Sequence, residues 1–406
     1  MENGKPKISL RDRHMPASPI RKLVPLANAA KEKGITVFHL NIGQPDIETP
    51  EEILNAFRNQ KTKTIAYSPS QGENRYLDSL VKYYAKVGVH GLKRSEILVT
   101  MGGSEAILFA MMAVCDPGDE IIVFEPFYTN YNGFAVMANV KLVPVLTHAD
   151  DGFHLPAAKK VEEKITSKTR AILICNPNNP TGTIYKPAEL KMLAEVCKKH
   201  NIFLLSDEVY REFVYDGEKH VSALELKDVE ERVIMMDSIS KRYSACGVRM
   251  GCVVSRNAEA MNLILRFGQA RLSAPYMEQM AAAESNNITD SHMSGMIDEY
   301  RKRRDIVYEG LEAIPGVICR KPRGAFYVIA KLPIKDANRF ASWLLTDFNH
   351  DNKTVMVAPA SGFYATPGHG DDEIRLAYVI NRDHLKEAMG LLKMAIEKYE
   401  KIESGK

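Results

Sequence analysis

Lys241 stands in the stretch Ser238-Ile239-Ser240-Lys241-Arg242, and Arg249 follows eight positions later between Gly247 and Gly251. A lysine amine is almost wholly protonated at neutral pH, with an ordinary pKa of about 10.4, but as an imine it can exchange with a substrate amine. A lone lysine would carry no information. Here two hydroxyls precede it, and a planar guanidinium suited to phosphate follows among glycines that permit close approach. The stretch Met101-Gly102-Gly103-Ser104-Glu105 opens a helical pattern: its glycines free backbone amides to converge, Ser104 can cap, and the helix end favours an anion. It reads as half of a phosphate cup or as an ordinary strand-to-helix turn. In Asn176-Pro177-Asn178-Asn179-Pro180-Thr181-Gly182 the prolines hold asparagine amides rigidly, ready to donate to an oxyanion, although an Asx/Pro turn is the plainer account. Asp207 closes an apolar run. A carboxylate buried there needs a cation, such as a protonated pyridine nitrogen, or the hydrogen-bond shell of a structural Asp.

These residues lie just past short β-rich apolar runs at 97–100, 171–174, 202–205 and 233–236; further runs occupy 121–124 and 251–254. Helical patterns such as 105–114 and 187–199 alternate with them. Runs apolar on both faces and separated by helices predict a mostly parallel, buried sheet, in which ligands sit beyond the carboxyl ends of the strands. From about residue 296 an Arg-rich amphipathic helix begins, and the pattern shifts to a smaller α+β arrangement ending in a helix over 385–399. The expected division is a large domain over 50–296 and a small domain built from the arm 1–49 and from 297–406. The basic run Arg301, Lys302, Arg303 and Arg304 is expected as a solvated helix side, and the pairs Met111-Met112 and Met235-Met236 as core filler.

A chain of 406 residues accommodates one large domain and a smaller companion. Its formal net charge of +3 arises from 54 Lys and Arg against 51 Asp and Glu without a basic block, so nucleic acid is not an expected partner. The six cysteines are scattered in apolar stretches without a CxxC pair and read as reduced core thiols. Residues 1–13 lack the apolar region of a signal peptide, and the longest apolar run, 106–115, is about half a membrane span. The expectation is a cytoplasmic protein with no membrane and no metal partner, since no histidine spacing suggests a metal site.

Taken together and in order, the pieces GGSEA, NPNNPTG, SDEVY and SISKRYSACGVRMG resemble the class I/II aminotransferase family. The likeness runs from Asn41-Ile42-Gly43-Gln44-Pro45-Asp46 to Glu373-Ile374-Arg375-Leu376-Ala377-Tyr378, and within the family it is nearer the bacterial and archaeal aspartate-type branch. The resemblance implies fold type I: an α/β protein with a mostly parallel seven-stranded central sheet, helices on both faces, and a smaller α+β domain. It implies pyridoxal 5'-phosphate as cofactor, with Lys241 as Schiff-base lysine and proton shuttle. Asp207 would pair with the pyridine nitrogen, and Tyr210 and Asn179 would bond the ring's 3-oxygen. Gly103, Ser104, Ser238, Ser240 and Arg249 would hold the phosphate. Tyr128 stands where the family stacks an aromatic ring on the cofactor. Arg375 and Gly43 match positions that hold the substrate's α-carboxylate, together with Asn179. Tyr67 matches a tyrosine sent to a neighbouring subunit's phosphate, which implies a homodimer with shared active sites. The stretch Pro322-Arg323-Gly324-Ala325-Phe326-Tyr327 is read as packing near the substrate mouth rather than as chemistry.

The activity so implied is exchange of an amino group between an L-amino acid, aspartate first, and a 2-oxo acid such as 2-oxoglutarate. Alanine or aromatic amino acids are alternative donors, and a carbon–sulfur β-lyase on the same cofactor is an alternative reaction. A cofactor-binding regulator of DNA would need a basic module ahead of the fold, and only about a hundred residues precede Gly102. A nicotinamide dehydrogenase lacks its GxGxxG after a first strand.

Overall fold

In the computed structural model, residues 6–405 are described; residues 1–5 of the expected arm, and Lys406, lie outside them. The first strand, β1 (Thr36–His39), is followed by seven strands that form one sheet: β2 (Ile97–Thr100), β3 (Glu120–Glu125), β4 (Lys141–Leu146), β5 (Thr169–Cys175), β6 (Phe203–Asp207), β7 (Val233–Ser238) and β8 (Gly251–Val254). Their spatial order is β2-β8-β7-β6-β5-β3-β4. All are parallel except β8, which runs antiparallel to both β2 and β7. Alternation along the strands divides the core. Ile121, Val123, Leu173, Leu205 and Met236 pack on one side, while Ile122, Phe124, Ile172, Leu204 and Met235 pack on the other. Both faces are therefore dry, which is why these strands read as unbroken apolar runs. The strand β4 does not read so because Pro144 interrupts it; it lies at the sheet's edge, where a missing N–H is tolerated.

The chain then forms the helix Asp290–Glu312 and the strands β9 (Tyr327–Lys331), β10 (Lys353–Met356), β11 (Ala358–Pro359) and β12 (Glu373–Ala377), closing with the helix Arg382–Glu403. β12 pairs antiparallel with both β9 and β11, while β10 pairs in parallel with β1, Thr36 opposite Lys353, so the N-terminal strand is sewn to the C-terminal segment. One expectation is corrected here. Arg303 and Arg304 are not on a solvated face: both are buried, because their guanidinium groups have carboxylates and carbonyls to meet. Arg303 bonds Asp46 at 2.5 Å and the carbonyl of Val379 at 2.7 Å; Arg304 grips both oxygens of Asp216 at 2.8 and 2.9 Å. Charge alone, read from sequence, does not reveal that a partner waits inside. The cysteines are free thiols, four of them buried.

Candidate active site

The carboxyl ends of β2, β5, β6 and β7 deliver their following residues to one cavity of about 140 Å3. Gly103 and Ser104 come from β2, Asn179 from β5, Asp207 and Tyr210 from β6, and Ser238, Ser240 and Lys241 from β7; Tyr128 and Arg249 complete the wall. Arg249, eight residues beyond Lys241, returns because the antiparallel β8 starts at this rim, with Gly251 opposite both Thr100 and Ser238. Gly102 has φ +77°, and a Cβ added there would lie 2.4 Å from Nη2 of Arg249, so only glycine lets the guanidinium reach the mouth of the helix Gly102–Val114. Ser104 does not cap that helix, as the sequence suggested it could. It sits inside the first turn, and the N–H of Met101 donates to Glu105 at 2.9 Å instead.

One end of the cavity gathers the helix end with Gly103 and Ser104, the hydroxyls of Ser238 and Ser240 at 2.7 Å from each other, and Arg249, a set of donors that could hold an anion. Arg249 donates to the carbonyls of Cys246 at 3.0 Å and Met101 at 3.5 Å, neither of which neutralises its charge. Lys241 is carried on the short helix Ile239–Arg242, and the neighbouring Arg242 anchors that turn through Asp237 and, at 3.5 Å, Glu212. Burial works against an ionised Asp237, but Arg242 and Arg211 outweigh it and hold that carboxyl below its usual range. The Lys241 Nζ donates to the carbonyl of Gly43 at 2.9 Å.

Asp207 is buried, and burial pushes its carboxyl up to about 6 despite hydrogen bonds from Tyr131 and the N–H of Val209. The Tyr131 hydroxyl donates at 2.8 Å. Arg375 is 2% exposed and donates to Asn179 Oδ1 at 3.2 Å and to the carbonyl of Asn41 at 2.5 Å, while its Nε has no partner. Burial lowers its pKa, partly offset by the Tyr327, Tyr210 and Tyr128 hydroxyls. Its guanidinium faces the Tyr327 ring at 4.6 Å. Asn179 Nδ2 reaches the Tyr210 hydroxyl at 3.5 Å. Thus Gly43 and Arg375 join the cavity through Lys241 and Asn179. Tyr67 does not: it is 83% exposed on the single chain.

Buried charges are ordinarily paired. Among the described residues, the buried Asp207 has no cationic partner and the buried Arg375 no carboxylate; Arg249, which is exposed at the rim, has no carboxylate either, and all three converge here. That donor set matches what a phosphorylated, cationic ring and a carboxylate-bearing substrate would supply.

The model of the family of class I and II aminotransferases matches residues 35–392. The chain belongs to that family. It is 32% identical to a probable aspartate/prephenate aminotransferase of Aquifex aeolicus, covering 95% of this chain and 97% of the other. The solved aspartate aminotransferase of Thermotoga maritima superposes with a TM-score of 0.88 at 28% identity, over 96% of this chain and all of that one. An alanine aminotransferase from Pyrococcus furiosus does so with a TM-score of 0.88 at 29% identity, over 97% of this chain and all of that one. The aminotransferase therefore depends on pyridoxal phosphate and has the fold of type I enzymes. Two contacts of its site were not foreseen from sequence. Tyr131 lies three residues beyond Tyr128 on a helix of unremarkable composition, and Tyr327 lies in the segment taken for packing.

Proposed function

We propose that this aminotransferase moves an amino group between L-aspartate and 2-oxoglutarate, with Lys241 carrying the proton between substrate and cofactor. The observation that carries the reading is Arg375, a buried guanidinium without a counter-ion, beside the cavity that holds Lys241 and Asp207. A substrate's α-carboxylate accepts two hydrogen bonds from such a fork, with Asn179 and the Gly43 backbone completing the seat. The clamp fixes the Cα–H bond relative to Lys241 Nζ, which takes the proton as base and returns it as acid. Pyridoxal phosphate, when bound, supplies the electron sink for the pair left at Cα. Asp207 would hold the ring nitrogen's proton, Tyr210 and Asn179 would donate to the 3-oxygen, and Tyr128 would cover the ring face. Gly103, Ser104, Ser238, Ser240 and Arg249 would hold the phosphate.

Aspartate is preferred because the Aquifex and Thermotoga relatives bear that name; the Pyrococcus structure supports alanine as the second reading. Incubation with single L-amino acids and 2-oxoglutarate, with glutamate quantified, decides between them. Aspartate should give the highest kcat/KM. A higher value for alanine would transfer the assignment, and pyruvate with ammonia in the absence of any oxo acid would point to β-elimination.

The working unit is a homodimer in the cytoplasm. Support comes from Tyr67, exposed together with Ile65, Met101 and Leu272, apolar side chains left open on the single chain. Among the described residues no helix is long and apolar enough to cross a membrane. The division into a body over 50–296 and another from 1–49 and 297–406 is retained, supported by the pairing of β1 with β10.

A further inference from the structure

Tyr327 opens β9, in the C-terminal sheet, yet its side chain belongs to the rim of the N-terminal one. Its hydroxyl lies 3.0 Å from that of Tyr210, and both residues are buried, so water does not compete for the bond. Its ring supports the Arg375 guanidinium at 4.6 Å from the centroid. The hydroxyl also fills the space over Gly43, where an added Cβ would lie 1.7 Å from it; that glycine's carbonyl is the acceptor for Lys241 at 2.9 Å. One side chain thus touches the neighbours or partners of the lysine, the carboxylate clamp and the donor to the ring oxygen.

A tyrosine hydroxyl has one hydrogen to give. On the function proposed above, on which this inference rests, Tyr210 gives its hydrogen to the cofactor's 3-oxygen. Its bond with Tyr327 must then use the hydrogen of Tyr327. We propose that Tyr327 is a positioning residue with two separable parts: its hydroxyl donates to Tyr210 and strengthens the bond Tyr210 makes to the 3-oxygen, while its ring face holds Arg375 ready for the substrate carboxylate. Hydrogen-bond chains polarise in this way, each link making the next a better donor. A stronger donor at the 3-oxygen withdraws the negative charge that helps the Lys241 nitrogen, once joined to the cofactor, to keep its proton. Removing the Tyr327 hydroxyl therefore makes that nitrogen easier to protonate.

The test uses the cofactor-loaded enzyme and the variants Tyr327→Phe and Tyr327→Leu. The midpoint of the pH-dependent change in the cofactor's visible absorbance, measured without substrate, should rise by about half a unit in both variants. The KM for 2-oxoglutarate should stay within about twofold in Tyr327→Phe, which keeps the ring, and rise by roughly tenfold in Tyr327→Leu, which loses it. A wild-type band that titrates with the same midpoint as Tyr327→Phe overturns the hydroxyl's role, whatever happens to thermal stability. Equal KM values in the two variants overturn the role of the ring. If the wild type shows no visible band after loading, the cofactor reading itself fails, and this inference with it.

Discussion

Asp207 illustrates how a single residue can be costly alone and useful in company. Burial raises its carboxyl from the usual range to about 6, so the folded protein without cofactor binds that proton more tightly than the unfolded chain. The sign follows: between about pH 4 and 6 the folded state holds more protons, and stability falls as pH rises through that window. The cofactor-free protein should consequently melt higher at pH 5 than at pH 7; Asp207→Asn should remove about 1 kcal/mol of that difference, and buried Glu212, which burial pushes up to about 7, carries a further share. A melting temperature in Asp207→Asn with the same pH dependence as wild type would contradict the account. Arg375→Lys keeps the charge but loses the fork; kcat/KM for the amino donor should fall by about a hundredfold or more, measured by steady-state kinetics. Gly103, Ser104, Asn179, Asp207, Ser238 and Lys241 could be singled out from sequence because they stand at or just after strand ends in recognisable stretches, whereas Arg375, inside β12, was named only through the resemblance. Tyr131 and Tyr327 were not, because their meaning comes from what they face: Asp207 in one case, Tyr210 and Arg375 in the other.

At the scale of elements, the apolar runs foretold the sheet well, since strands dry on both faces leave little choice of residue. The missed strand β4 and the misjudged arginines show where such reading stops. An edge strand can carry Pro144, and a buried guanidinium looks like a surface one until its partner is located. Arg304 is the sharper case: its side chain is fully buried, with Asp216 a quarter exposed. It ties the helix Asp290–Glu312 to the segment after β6, and its Nη1 also bonds the carbonyl of Pro322 at 2.9 Å. Arg304→Met should destabilise the protein by about 3 kcal/mol, read as a fall in the denaturation midpoint, whereas a truly solvated arginine would cost almost nothing. Gly102→Ala addresses the turn after β2. With φ +77° and Arg249 against the missing Cβ, the substitution should weaken cofactor binding by roughly tenfold or more, measured by equilibrium titration, with smaller effect on the KM of the amino donor.

For the molecule as a whole, Tyr67 is the residue that a single chain leaves unexplained. Sedimentation should give twice the chain mass, and Tyr67→Phe should loosen the cofactor without altering the assembly, since the lost hydroxyl would come from the neighbouring subunit. A monomer with full activity would refute the shared site. The sheet and the site stretches could be read along the chain because each is local in sequence. That the N-terminal arm joins the C-terminal segment was expected, but not through which strands: β1 and β10 are more than three hundred residues apart, and no local pattern announces a pairing across that span.

The measurement that tests the central claim most directly is the visible absorbance of the purified, cofactor-loaded protein, before and after adding L-aspartate and then 2-oxoglutarate, beside Lys241→Ala. The account predicts a band that bleaches with the amino acid and returns with the oxo acid in wild type. It also predicts that this band is lost or altered, and does not complete the cycle, in Lys241→Ala. A wild-type spectrum that ignores both additions for every amino acid tried, or a Lys241→Ala variant that cycles like wild type, would contradict it.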